Sequence, residues 1–150
     1  VGAPAVNKPA YAEILAARCA ALRISESVRF LGRRGDVAQV LAAASVVVSC
    51  SVSPEPFGRT LVEAMAAERP VIAPRAGGPL DIIEDGVTGL LVAPGDPAAL
   101  ADAICALLED PDRAAQLAAA GRARAESCYT VTRLAEDMAR LFDDVCGDEP

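Results

Sequence analysis

The sequence predicts an α/β fold, a mainly parallel sheet flanked by helices. Three observations carry this. The short runs Val46-Val47-Val48 and Pro70-Val71-Ile72-Ala73 are apolar without alternation, as strands covered on both faces are. Segments with apolar residues at helical spacing separate the runs, and such alternation favours parallel strands joined by helical crossovers. Of the 150 residues 53% are hydrophobic but only 3% aromatic, so the core is built from Ala, Val, Leu and Ile. A chain of this length reads as one domain, residues 1–150, burying roughly 68–70% of its unfolded surface.

Taken in order, Val1-Gly2-Ala3-Pro4 reads as the end of a strand entering a loop. A helix is predicted from Pro9, a residue suited to a first turn, with Tyr11, Ile14, Leu15, Cys19 and Leu22 on one face. Val28-Arg29-Phe30-Leu31 reads as a strand ending at Gly32. Asp36 suits the N-cap of a short helix whose buried side is Val37, Val40 and Leu41. Val46–Val48 follows as a buried strand. Pro54 and Pro56 exclude a helix from the next turn, and helical spacing starts near Gly58 with Leu61, Val62, Met65 and Ala66. Pro70 ends that helix and opens the next strand, through Ala73. Gly77-Gly78-Pro79 turns into a short helix through Ile82 and Ile83, Asp85-Gly86 is a turn, and Leu90-Leu91-Val92 is a strand. Asp96-Pro97 and Asp110-Pro111 each start a helix, the first buried along Leu100, Ile104, Leu107 and Leu108. Ala114–Ala125 is helix-forming, and a last helix carries Val131, Leu134, Met138, Leu141, Phe142 and Val145 as a stripe.

Charge and composition exclude several functions. A net charge of −7 argues against nucleic acid as a partner and gives no general attraction to anionic lipid. No apolar run approaches the ~20 residues that span a membrane. The N-terminus lacks a basic region followed by an apolar one, so no secretory leader is expected. The 5 cysteines are scattered without Cys-x-x-Cys, which predicts reduced, mostly buried thiols and a cytoplasmic setting. With no histidine, a Ser–His–Asp triad, a His-assisted cysteine nucleophile and a His-based metal site are excluded. Ser49-Cys50-Ser51 therefore reads as strand-end and turn residues. No Gly-x-Gly-x-x-Gly follows a strand, which disfavours a dinucleotide-binding oxidoreductase.

The chemistry is concentrated in Pro54-Glu55-Pro56-Phe57-Gly58-Arg59-Thr60-Leu61-Val62-Glu63-Ala64-Met65-Ala66. This is strand, turn and helix, with one carboxylate in the turn and a second in the helix. The first helical N–H groups have no intrahelical partner and carry the positive end of the macrodipole. Gly58, without a side chain, lets a phosphate come close to them, between Glu55 and Glu63. Carboxylates are poor neighbours for phosphate but good acceptors from sugar hydroxyls. The arrangement therefore suits a ligand with hydroxyls at both ends of a diphosphate. Spacing alone favours the simpler reading of Glu63 as a solvated helix residue.

The whole string resembles the retaining family-4 glycosyltransferases of GT-B fold, whose signature is a Glu, seven residues and a second Glu. The resemblance continues through Pro70-Val71-Ile72-Ala73, Ala76-Gly77-Gly78-Pro79, Asp85-Gly86-Val87-Thr88-Gly89-Leu90-Leu91-Val92 and Pro94-Gly95-Asp96. It implies a Rossmann-like domain binding a nucleotide diphosphate sugar as substrate, with ligands at the carboxyl ends of the strands. Gly32, Ser49–Gly58 and the loop after Ala73 all follow strand ends and are expected to share one crevice. By the resemblance, Glu55 is the catalytic residue, holding the donor sugar's hydroxyls and supporting charge at the anomeric carbon. Phe57 and Gly58 place backbone at the sugar–phosphate junction, Leu61 lines the nucleotide, Glu63 binds ribose hydroxyls, and backbone at Gly32 and Arg33 contacts the base. No metal and no cofactor are implied, because helix termini and basic side chains stabilise the leaving diphosphate.

Two departures stand out. Glu68 occupies a position at the end of the motif helix where the family usually has glycine. The family's opening strand–helix–strand and its acceptor-binding N-terminal domain also have no counterpart, so the expectation is a donor-binding half incomplete at its N-terminus. Such a piece is expected to be inactive alone and to self-associate, the acceptor being unknown. In the whole protein it would be cytoplasmic or peripheral at the inner membrane face, and the competing reading is a non-catalytic nucleotide-sugar-binding or interaction module.

Overall fold

A computed structural model describes residues 9–146, so the expected strand end at Val1–Pro4 lies outside the described residues. The elements are α1 (Pro9–Ala21), a 3₁₀ turn (Ser25–Ser27), α2 (Val37–Ala42), β1 (Val47–Val48), α3 (Arg59–Ala66), β2 (Val71–Pro74), α4 (Pro79–Ile82), β3 (Leu90–Val92), α5 (Pro97–Glu109), α6 (Pro111–Cys128) and α7 (Val131–Cys146). The chain divides into two compact units, Val1–Val37 and Ala38–Pro150.

The first unit holds α1 and the 3₁₀ turn. The strand predicted at Val28–Leu31 is not one: Val28 has extended dihedrals (φ −115°, ψ 127°), but the segment forms no ladder. Val28, Phe30 and Leu31 favour an extended backbone, whereas a strand also needs a neighbour's N–H and C=O groups. Asp36, the expected cap of α2, has its carboxylate engaged by Arg34, with Nε 2.7 Å from Oδ1.

The second unit carries a parallel sheet in the order β1-β2-β3, with Val48 opposite Ile72 and Ile72 opposite Leu90. Val71, Ile72 and Ala73 are 0% exposed, as a central strand covered on both faces should be. Ile72 packs with Leu107 of α5 and Leu117 of α6, flanked by Val48, Leu90, Leu100 and Ile104. Its neighbours Val71 and Ala73 point to the opposite face. α3 contributes Leu61, Ala64 and Met65 to the core, and burial of the Leu61 and Met65 side chains is worth about 1.5–3 kcal/mol each. α6 passes close to α3, where a Cβ on Gly121 would lie 3.4 Å from Met65 Cγ. Both predicted aspartate caps form: Asp96 accepts from the amides of Ala98 and Ala99 at 3.0 Å, and Asp110 from that of Arg113 at 2.9 Å.

The outer edge of β3 is covered by side chains. Asp85 Oδ1 accepts from the Leu91 amide at 2.8 Å, while Arg75 Nη2 donates to the Leu91 carbonyl at 3.2 Å and pairs with the Asp85 carboxylate. Unpaired edge groups invite strand addition, and this pair occupies them. The turn through Asp85 and Gly86 places that carboxylate beside β3.

α3 ends in a Schellman arrangement. The amide of Arg69 donates to the Ala64 carbonyl at 3.0 Å and that of Glu68 to Met65 at 2.9 Å. Glu68 sits at φ 55°, in the left-handed region that favours glycine, at the position where the resemblance leads one to expect glycine. The stripe of α7 is exposed along its length, from Val131 to Val145. The cysteines correct one expectation. Cys50, Cys105, Cys128 and Cys146 are exposed and only Cys19 is half-buried, because they fall at a strand end and on outward helix faces. Among the described residues no helix is long and apolar enough to cross a membrane.

Candidate functional site

After β1 the chain makes a tight excursion, with Ser51 Oγ donating to the Ser53 carbonyl at 2.9 Å, before it enters α3. The loop after β2 locks this excursion in place. Glu55 pairs with Gly77 in a single parallel bridge, and the Gly78 amide donates to the Glu55 carbonyl at 2.8 Å. A Cβ on Gly77 would lie 2.5 Å from the Glu55 carbonyl oxygen, and one on Gly78 2.1 Å from that of Phe57. Backbone meets backbone here, so both positions require glycine. The sequence shows Gly-Gly-Pro but not which loop presses on it.

Gly58 starts α3 in the left-handed region, at φ 106°. A Cβ there would stand 3.2 Å from Leu61 Cδ1 and 3.3 Å from Ile82 Cδ1. The residue thus serves the turn and the packing beneath it as well as the open helix start. Leu61, assigned to the nucleotide by resemblance, is 1% exposed, and its side chain belongs to that packing.

The two carboxylates of the motif flank the helix start. Glu55 is half-buried in the loop, and Glu63 is exposed on α3. Arg59 Nε lies 3.1 Å from Glu63 Oε1, a pair at i,i+4 spacing. Phe57 is half exposed, its ring meeting the edge of Tyr129 at a centroid distance of 6.0 Å and an interplanar angle of 73°. A groove of about 460 Å³ runs beside α3, lined by Phe57, Arg59, Val62, Glu63, Tyr129 and Leu134 among others. Phe57 and Glu63 therefore share this groove, Glu55 and Gly58 lie in the loop that enters α3, and Leu61 lies in the packing beneath. Gly32, at φ 63°, and Arg33 belong to the first unit. The helix start offers donors and positive potential to an anion, and the carboxylates offer acceptors to hydroxyls.

Residues 2–124 match the family described as glycosyl transferases group 1. The chain belongs to this family. It is 39% identical over 122 residues to phosphatidyl-myo-inositol mannosyltransferase of Mycobacterium leprae, covering 80% of this chain and 32% of that protein. It is 41% identical over 129 residues to D-inositol 3-phosphate glycosyltransferase of Streptomyces scabiei, covering 85% and 29% respectively. Among solved structures it superposes on Anabaena Alr3699/HepE in complex with UDP with a TM-score of 0.92 at 34% identity, covering 95% of this chain and 39% of that one. The chain spans about a third of the length of these curated group 1 relatives.

Three features beside this loop go beyond the site residues expected from the sequence. Arg59 stands between the two glutamates in the sequence and pairs with the second. Gly77-Gly78 offered a signal, two adjacent glycines after a buried strand, but its partner loop is set only by the sheet. Tyr129 lies 72 positions from Phe57, and no local pattern joins them.

Proposed function

We propose that this chain is the donor-binding half of a retaining glycosyltransferase of the family-4 type, transferring a sugar from a nucleotide diphosphate sugar to an acceptor. The observation that carries the reading is the Glu55–Gly58 loop, held on Gly77–Gly78 so that one carboxylate precedes and another follows the start of α3. Glu55 accepts hydrogen bonds from the donor sugar and supports positive charge developing at the anomeric carbon. The amino end of α3 stabilises the negative charge that collects on the departing diphosphate, a role that asks for no metal. Glu63 accepts from ribose hydroxyls, exchanging its contact with Arg59 for them. Structural likeness to a protein solved with UDP and with UDP-glucose supports a nucleotide-sugar ligand.

The test uses the full reading frame that contains this chain, with UDP-glucose and GDP-mannose as donors. Glu55→Gln should abolish transfer and donor hydrolysis while leaving UDP or GDP affinity within about threefold, since it removes charge at the sugar end only. Proton NMR of the product should show the donor's anomeric configuration retained. Near-normal turnover by the variant would remove Glu55 from this role. Binding of a nucleotide sugar with no turnover by wild type would favour the non-catalytic module.

A further inference from the structure

We propose that Tyr129 and Arg124, at the carboxyl end of α6, are positioning residues that hold the Glu55–Gly58 loop in register for sugar transfer. The proposal rests on the donor-site reading above and adds to it a device remote from the motif. Its basis is a set of contacts that converge on two loops. The Tyr129 hydroxyl donates to the Asp81 carbonyl at 3.0 Å. Arg124 Nη2 donates to the same carbonyl at 2.9 Å, and its Nε to the Ile82 carbonyl at 2.8 Å. The Tyr129 ring meets Phe57 edge to face.

Asp81 and Ile82 are the last two residues of α4, a helix of only 4 residues. A helix this short does not hold itself, and its final carbonyls have no intrahelical donors. Arg124 and Tyr129 supply those donors, and the guanidinium adds a cation at the negative end of the helix. The other end of α4 begins at Gly77-Gly78-Pro79, where the Gly78 amide fixes the Glu55 carbonyl. Moving α4 therefore moves Gly78, and Glu55 with it. Tyr129 acts on the same loop a second time, through the ring of Phe57. One side chain thus ties the loop after β1 to the helix that follows β2. Glu63 lies outside this linkage, on α3, which Leu61, Ala64 and Met65 anchor in the core.

This separation yields a test. Displacement of a reacting group by ~1 Å can cost about a hundredfold in rate. In the full reading frame, Tyr129→Leu should lower kcat with UDP-glucose or GDP-mannose at least tenfold. Affinity for UDP or GDP, measured by calorimetry, should stay within about threefold. Tyr129→Phe keeps the ring, and Arg124 still holds the Asp81 carbonyl, so most of the lost turnover should return. If Tyr129→Leu melts far below wild type, the pair Tyr129→Phe with Arg124→Lys replaces it, keeping ring and charge while weakening the grip on both carbonyls; its kcat should fall with nucleotide affinity preserved. Wild-type kcat in Tyr129→Leu or in the replacement pair, or parallel loss of turnover and nucleotide affinity, would overturn the proposal. If Glu55→Gln is inactive while Tyr129→Leu turns over normally, only the positioning role fails. If Glu55→Gln itself turns over normally, the donor-site reading fails first.

Discussion

The amide of Gly78 donates to the carbonyl of Glu55 at 2.8 Å, and a Cβ on Gly78 would come within 2.1 Å of the Phe57 carbonyl oxygen. Two loops that follow different strands are therefore joined through backbone, and the motif's geometry depends on a residue twenty-three positions away. Gly78→Ala should lower stability by about 3 kcal/mol, the upper end for overpacking, because the opposing atoms are backbone and have no rotamer to change. Urea unfolding measures this. A loss below roughly 1 kcal/mol would mean the loops separate easily and that Glu55 is not fixed by this contact.

Glu63 answers to a different measurement. Its pair with Arg59 is exposed and at i,i+4 spacing, a type worth only about 0.3–0.5 kcal/mol. Glu63→Ala should therefore leave the melting temperature nearly unchanged. Losing a charged hydrogen bond to ribose, about 1.5–3 kcal/mol, should weaken nucleotide diphosphate binding roughly ten- to a hundredfold. Unchanged calorimetric affinity for both UDP and GDP would sink the assignment.

How far the sequence could be read depended on whether the signal was local. The caps at Asp96 and Asp110 were legible because a side-chain oxygen and an amide two or three positions on suffice. The strand at Val71–Pro74 was legible because burial on both faces leaves an unbroken apolar run. Val28–Leu31 is apolar but for Arg29 and reads as extended too, but pairing is a property of the neighbour and is absent from its own residues. The acidic pair and the helix start were visible as a motif. What holds them was not: Gly78 against Phe57 and Tyr129 against Asp81 are contacts that exist only once the sheet and α6 are assembled.

Glu68 shows two opposing effects in one residue. At φ 55° it occupies a conformation that costs a non-glycine residue roughly 1 kcal/mol. Its carboxylate meets Arg122 Nη1 at 3.0 Å, but both side chains are nearly half exposed, so the pair is worth about 0.2–1 kcal/mol. Glu68→Gly removes both strain and pair and should stabilise by less than about 1 kcal/mol. Glu68→Ala removes the pair and keeps the strain, so it should destabilise. Urea midpoints should rank Gly above Glu above Ala. Alanine ranking above glutamate would show that Arg122 contributes nothing here.

The Asp85–Arg75 pair gives the stability a pH signature. Burial alone would push the Asp85 carboxyl up. The hydrogen bonds from the Leu91 amide and the Arg75 guanidinium outweigh it, and the group sits below the usual carboxylate range. With the folded value below the unfolded one, near 3.9, its contribution is fully present above that unfolded value and is lost as pH falls through the folded value. Asp85→Asn keeps an acceptor for Leu91 but cannot titrate and surrenders the charge facing Arg75. The stability gap between wild type and variant should be widest from about pH 5 to 7 and should narrow below about pH 4. Asp36 is also held low by Arg34 and titrates in the same acid range, but it is common to both proteins and cancels in the difference. A gap that stays constant from neutral pH into acid would mean that Asp85 acts on β3 through hydrogen-bond geometry alone, and that its charge does not matter.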